Sequence, residues 1–209
     1  MQKTIKQVFD RDIHIVNISR KDWLKTNSIN GWSFILNKVE EKIHSVLDEI
    51  KGKKVDLIGH SSGGIILRLY LSNEIFNGKI YNGKSICSNL IMLGSPHQAI
   101  RATSLRRYVD EKYPGNFFKE VNYVSVGGKL KINSHQSTLI TKLLAKRFYK
   151  SISGDANELG DGLVPLSASL LNGSQKIIIN NTTHSNIFGR NWYCCPTNTK
   201  EWFSKINWQ

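Results

Sequence analysis

Between Val55 and Leu71 an apolar run, a turn built almost wholly of glycine and serine, and a second apolar run follow one another, which leaves the chain few ways to fold. Val55-Asp56-Leu57-Ile58 is short and rich in β-formers, so it reads as a strand; Ile65 to Leu71 reads as a buried helix. The turn between them, Gly59-His60-Ser61-Ser62-Gly63-Gly64, swings a strand sharply into a helix, and a Cβ at the flanking glycines is expected to collide with both. Upstream, Trp32, Ile35, Leu36, Val39, Ile43, Val46, Leu47 and Ile50 recur at spacings of three and four, the mark of an amphipathic helix, with Gly52 as its stop. Ile13 to Ile18 is expected to be a buried strand and Lys21 to Gly31 a connecting loop. Further strands are expected at Leu90–Leu93, Val121–Val126 and Lys176–Ile179, and a closing helix at Thr197–Ile206.

Strands separated by helix-sized segments imply parallel crossovers, so the expected fold is α/β: a mostly parallel open sheet with helices on both faces. Residues 1–209 read as one domain, a length that can bury a core unaided. The segments Ala99–Lys119 and Asn133–Leu159 carry the weakest core signal and are expected to be insertions over a site.

Twenty-nine Lys and Arg against sixteen Asp and Glu give a formal charge of +13, which raises nucleic acid or an anionic membrane surface as partners. The cations are scattered, without zinc-finger spacing or a basic aromatic repeat, so nucleic acid is not expected, whereas peripheral contact with an anionic membrane remains open. Lys, Ile and Asn, which share adenine- and thymine-rich codons, number 21, 24 and 19, so base composition alone accounts for much of the excess. No apolar run reaches the length of a membrane span, and the amino end reads as lacking a signal peptide. Cys87, Cys194 and Cys195 are odd in number and lack metal-ligand spacing, which suits a reducing compartment; no metal or cofactor is expected.

The turn after Ile58 also carries chemistry. Gly59-His60-Ser61-Ser62-Gly63 is a G-x-S-x-G element with a strand before it and a helix after it, which lifts Ser61 above the sheet edge and aims the Ser62 amide at the place where an oxyanion would form. A serine nucleophile needs a base, and the base an acid to orient it. Of six histidines, His14 falls on a strand and His44 on the amphipathic helix, His60 points away from the nucleophile in such a turn, and His97 and His135 lie in loops. His184, in the polar loop after Lys176–Ile179, is the base candidate. Asp161, between Gly160 and Gly162, is the acid candidate, and the order Ser61, Asp161, His184 is that of α/β-hydrolases.

These motifs, with Arg20-Lys21-Asp22-Trp23-Leu24, Leu93-Gly94-Ser95-Pro96-His97, Tyr113-Pro114-Gly115, Gly160-Asp161-Gly162 and Thr183-His184-Ser185, make the chain resemble the lipase- and esterase-like α/β-hydrolases of cyanobacteria and algal plastids. The resemblance implies a serine hydrolase of carboxylic esters, with Ser61 as nucleophile, Asp161 as acid and His184 as base, Ser95 and His97 lining the pocket, and a small-molecule or lipid ester as substrate. It further implies the chloroplast stroma of an alga, or a cyanobacterial cytoplasm. Tyr108, Tyr113, Phe117 and Phe118 are expected either to cover an apolar acyl group or to be plain core. In that family a further core strand and a glycine loop carrying the second oxyanion amide precede the segment matching Ile13–Ile18, and this chain reads as lacking them. The alternative is therefore a catalytically impaired hydrolase fold with a binding or structural role.

Overall fold

The computed structural model describes residues 1–132 and 137–209; His135 lies outside the described residues. Four strands, β1 (Val55–His60), β2 (Cys87–Leu93), β3 (Asn122–Lys129) and β4 (Gln175–Asn180), form one sheet in the order β1-β2-β3-β4, every pairing parallel. The helices are α1 (Gln2–Phe9), α2 (Arg20–Leu24), α3 (Ile29–Ile50), α4 (Ser62–Tyr70), α5 (Ser104–Lys112), α6 (Leu139–Ser153), α7 (Leu166–Ser169) and α8 (Pro196–Ser204).

Alternation along the strands divides the core into two layers, as side chains of period two must. Leu57, Leu90, Met92 and Tyr123 face α3, α4 and α5, whereas Ile91, Leu93, Val124, Val126, Ile177 and Ile179 face α1 and α8, packing on Ile5, Trp202 and Phe203. Five of the seven residues from Cys87 to Leu93 are apolar and fully buried, because a parallel strand covered on both faces needs an almost continuous apolar run.

Helix α3 carries the stripe its spacing demands, from Trp32 to Val46, but Ile50 is exposed. Ser28 caps its amino end by accepting from the Gly31 amide at 3.2 Å. Its stop is Lys51 rather than Gly52: Lys51 adopts the left-handed conformation (φ 48°), and the Gly52 amide closes the last turn on the Leu47 carbonyl. Residues 21–31 are not a loop. Ser19 and Asp22 form a reciprocal capping box that starts α2, and a 3₁₀ turn at Lys25–Asn27 follows.

The two segments expected as insertions are part of the architecture. Residues 99–119 supply α5, whose Leu105 and Val109 join Tyr113 and Phe118 in the core; Phe117 is exposed and Tyr108 half-buried. Residues 137–159 supply α6, anchored by buried Thr141, Ala145 and Tyr149.

The Ile13–Ile18 strand does not form. Ile13, Val16 and Ile18 are half-buried, and His14, Ile15 and Asn17 are exposed. The carbonyls that a strand would offer to a neighbour are taken by side chains, Ile13 O by Gln2 Nε2 at 2.6 Å and Asn17 O by Lys38 Nζ at 3.3 Å. β1 is therefore the edge of the sheet. Its Val55 amide donates to Ile86 O on the β2 side, so the peptide groups of Asp56 and Ile58 face outward, where no strand pairs with them among the described residues. Hydrogen exchange followed by mass spectrometry or NMR should find the Asp56 and Ile58 amides exchanging far faster than those of Leu90 to Leu93. Equal protection would mean that the edge is covered in solution.

Candidate active site

The carboxyl ends of the strands gather the residues that the motifs single out. β1 ends at His60, and Ser61 takes φ 55° and ψ −127°, a conformation an L-residue holds only under constraint. The constraint is visible at the glycines. A Cβ on Gly59 would stand 2.5 Å from the Gly64 amide nitrogen, and one on Gly64 would stand 2.2 Å from Ser95 Oγ. Gly63, by contrast, faces open space, so the second forbidden position is Gly64 and not the final glycine of the five-residue motif. Ser61 is held by its own amide, which donates to Leu93 O at 2.9 Å. The Ser62 amide, first in α4, has no hydrogen-bond partner among the described residues and lies at the positive end of the helix dipole.

Asp161 occupies a turn of the kind its flanking glycines permit. Gly162 has φ 94°, and a Cβ on Gly160 would meet Val164 O at 2.4 Å. The carboxylate is fully buried, and both its oxygens are engaged. Oδ1 accepts from the amides of Leu163 (3.0 Å) and Val164 (2.7 Å); Oδ2 accepts from Tyr193 Oη (2.9 Å) and lies 2.9 Å from His184 Nδ1. Since a carboxylate only accepts, His184 carries a proton on Nδ1, and in the neutral ring the lone pair then sits on Nε2. Burial pushes the Asp161 carboxyl upward, but the His184 imidazole and the hydrogen bonds from His184, Val164 and Leu163 outweigh it and keep it below the ordinary carboxylate range. The same backbone segments are tied together directly, because the His184 amide donates to Asp161 O at 2.8 Å.

The serine turn and the Asp161–His184 pair meet through His60. Its Nε2 donates to the His184 carbonyl at 2.8 Å and its ring lies 4.8 Å from the His184 ring. His60 thus faces the histidine that Asp161 holds, and burial, with the charge of His184, lowers its pKa to about 4. No hydrogen bond joins Ser61 Oγ to the His184 ring among the described residues. Catalytic hydrogen bonds of this sort are often long without substrate.

Ser95 and His97 do not line the cleft of about 1020 Å³ that has Ser61 on its wall. Both are buried beneath α4, Ser95 Oγ against Gly64 and His97 with its Nδ1 accepting from Arg68 at 3.3 Å. Arg68, itself buried, also donates to Tyr113 O at 2.6 Å and lies 3.6 Å from an Asp110 oxygen. Burial first, then the Arg68 and Arg106 charges, drive the His97 pKa well below its ordinary value. Of the remaining histidines, His14 and His44 are exposed.

Two residues of the site carry no motif. Tyr193 is fully buried, donates to Asp161 and accepts from the Gly128 amide at 2.7 Å, and Tyr149 accepts from the Gly162 amide at 2.7 Å. A lone tyrosine offers no spacing to recognise; only the pair of adjacent glycines at the end of β3 hints that something packs closely there, since a Cβ on Gly128 would meet Tyr193 Oη at 2.9 Å. Along the open side of β1 runs a cleft of about 1020 Å³, with Ser61 and Ser62 on its wall and an apolar lining that includes Ile13, Val16, Ile43 and Val46.

Residues 1–156 match the family model of palmitoyl protein thioesterase. No curated protein matches the chain. The matched span holds Ser61, Ser62, Ser95 and His97 and stops short of Asp161 and His184. It supports the α/β-hydrolase part of the resemblance drawn from the motifs and bears on neither a cyanobacterial nor a plastid origin. With three quarters of its length matched and a parallel sheet covered by helices on both faces, this chain belongs to the palmitoyl protein thioesterase family of α/β-hydrolase-type enzymes.

Proposed function

We propose that this protein is a serine hydrolase that cleaves acyl thioesters and esters through Ser61, His184 and Asp161. The observation that carries the reading is the fully buried Asp161–His184 hydrogen bond of 2.9 Å, set beside the positive-φ turn that bears Ser61. In this scheme His184 Nε2 takes the Ser61 proton as Oγ attacks the acyl carbon, and Asp161 stabilises the imidazolium without accepting its proton. The Ser62 amide donates to the oxyanion. His184 then protonates the departing thiolate or alcohol, and water, deprotonated by the same imidazole, releases the acid from the acyl-enzyme.

The cleft beside Ser61 supports a long acyl chain as substrate, since its lining is largely apolar and its volume lies at the upper end of the usual ~300–1,000 Å³ for ligand sites. Each methylene buried there adds about 0.8 kcal/mol of transfer free energy. A second reading, a hydrolase fold retained for binding, draws on the missing Ser61–His184 hydrogen bond. A fluorophosphonate probe separates the two: the hydrolase labels and Ser61→Ala does not, whereas equal labelling of both removes the enzymatic reading. Turnover of a long-chain acyl thioester should fall by about 10⁴-fold or more in both Ser61→Ala and Asp161→Asn.

Tyr193 orients the acid, which yields a separate expectation. Tyr193→Phe removes one donor from Asp161 Oδ2 and leaves the Gly128 amide unpaired, so urea denaturation should show a loss of about 1–3 kcal/mol. Turnover should fall with KM unchanged. A rise in KM at constant turnover would place Tyr193 in substrate binding instead.

The histidines make stability depend on pH. The His60 pKa is about 4 in the folded chain, below its ordinary value of about 6.5, so between these limits the unfolded chain binds more protons. Its contribution is complete above about pH 6.5 and is lost as pH falls toward 4; His97, shifted the same way, adds to the loss. Moving from pH 7.5 to 5 should cost about 1–2 kcal/mol through His60. His60→Gln, whose amide can still donate to the His184 carbonyl, should flatten that slope in pH-dependent urea titrations. An unchanged slope would show that His60 is not the titrating group.

A further inference from the structure

Helix α6 is turned inside out at its amino end. Thr141, Ala145 and Tyr149, four residues apart, form its buried face, and the opposite face, which ought to be polar, begins with Leu139 and Leu143, exposed by 71% and 69%. Ile140 (45%) flanks them, and Ile187 (52%) adjoins them through the bond from Thr138 Oγ1 to the Ile187 carbonyl. Large apolar side chains scattered singly over a surface are ordinary; four gathered at one helix end are not.

The charge around this patch has one sign. Lys142, Lys146, Arg147 and Lys150 are exposed on the same helix, which contains no Asp or Glu, and none of the four is paired with a carboxylate among the described residues. Apolar side chains ringed by cations fit a surface that is hydrocarbon inside and anionic at its face. A second copy of the chain fits poorly, since a twofold contact would set four cations against four. A polynucleotide would use the cations and leave the leucines in water.

We propose that the outward face of α6, with Ile187, docks on a bilayer containing anionic lipid. Leu139, Ile140, Leu143 and Ile187 enter the headgroup boundary while the lysines and Arg147 meet lipid phosphates. The position has a catalytic meaning that rests on the function proposed above. Phe188, next to Ile187, packs edge-on against His184 at 6.1 Å and against Phe148 of α6 at 6.4 Å, so docking sets the bilayer against the loop that carries the base. Acyl groups held in the membrane would then reach the site without crossing water.

The test is vesicle co-sedimentation at physiological salt, with phosphatidylcholine alone and with added phosphatidylglycerol. Wild-type protein should pellet with the anionic vesicles only, and Ser61→Ala should bind equally, which keeps docking distinguishable from chemistry. Leu139→Ser combined with Leu143→Ser should weaken binding about tenfold or more, whereas Leu24→Ser, which alters an equally exposed leucine outside the patch, should not. The proposal is overturned if the paired leucine variant binds like wild type, if Leu24→Ser loses as much, or if a polynucleotide binds as tightly and ignores the leucines. A concentration-dependent dimer that the paired variant abolishes would overturn it in favour of self-association.

Discussion

A carboxylate with no exposure to water, Asp161, is the tie on which the carboxyl edge of this sheet depends. An unpaired charge at that depth would be costly enough to unfold the turn or to force a proton onto it. It is tolerated because four donors converge on its two oxygens, two from its own turn, one from His184 and one from Tyr193. The four donors belong to three separate constraints. The turn amides require Gly162 at positive φ, the Tyr193 hydroxyl is fixed by the Gly128 amide at the end of β3, and His184 is fixed by its own amide on Asp161 O. Loosening any one leaves a buried charge short of a partner, so Asp161, His184 and the end of β3 hold their geometry together.

The serine comes from elsewhere in the chain, and its constraint is steric rather than electrostatic. Gly59 and Gly64 let β1 and α4 approach so closely that Ser61 has no relaxed conformation available, and Gly64 in turn rests on Ser95 at the end of β2. Two independently built structures therefore face each other, and His60 is the piece that touches both. In the proposed mechanism a cation there would oppose the imidazolium that His184 becomes. The low pKa of His60 keeps it neutral across the physiological range.

Much of this was legible in the residues alone. The α3 stripe, the four strands and the glycine–serine turn follow from periodicity and turn chemistry, which act over a few residues. The failures share a cause as well. Ile13–Ile18 has the composition of a strand, but strand formation needs a partner's peptide groups, and Gln2 and Lys38 take its carbonyls instead. Ser95 and His97 carry side chains suited to a pocket; whether they face one depends on α4 and Arg68, forty and more residues distant from Tyr113, whose carbonyl anchors that arginine. The roles of Tyr193 and His60 were out of reach because they arise from contacts spanning 32 and 124 residues, which no local pattern encodes.

The family match ends before Asp161, so the proposed nucleophile and the proposed acid–base pair rest on different grounds. A serine turn retained only for its shape would need Gly59 and Gly64 but not a buried carboxylate holding a histidine in the tautomer that leaves Nε2 free. Conversely, a buried Asp–His pair kept only for stability gains little over an apolar replacement, because desolvation offsets most of the attraction. The two features are each expensive or strained by themselves, and they are joined at the carboxyl edge of the sheet by the bond from His60 to the His184 carbonyl. The proposed proton transfer from Ser61 to His184 would use both the strained turn and the oriented imidazole.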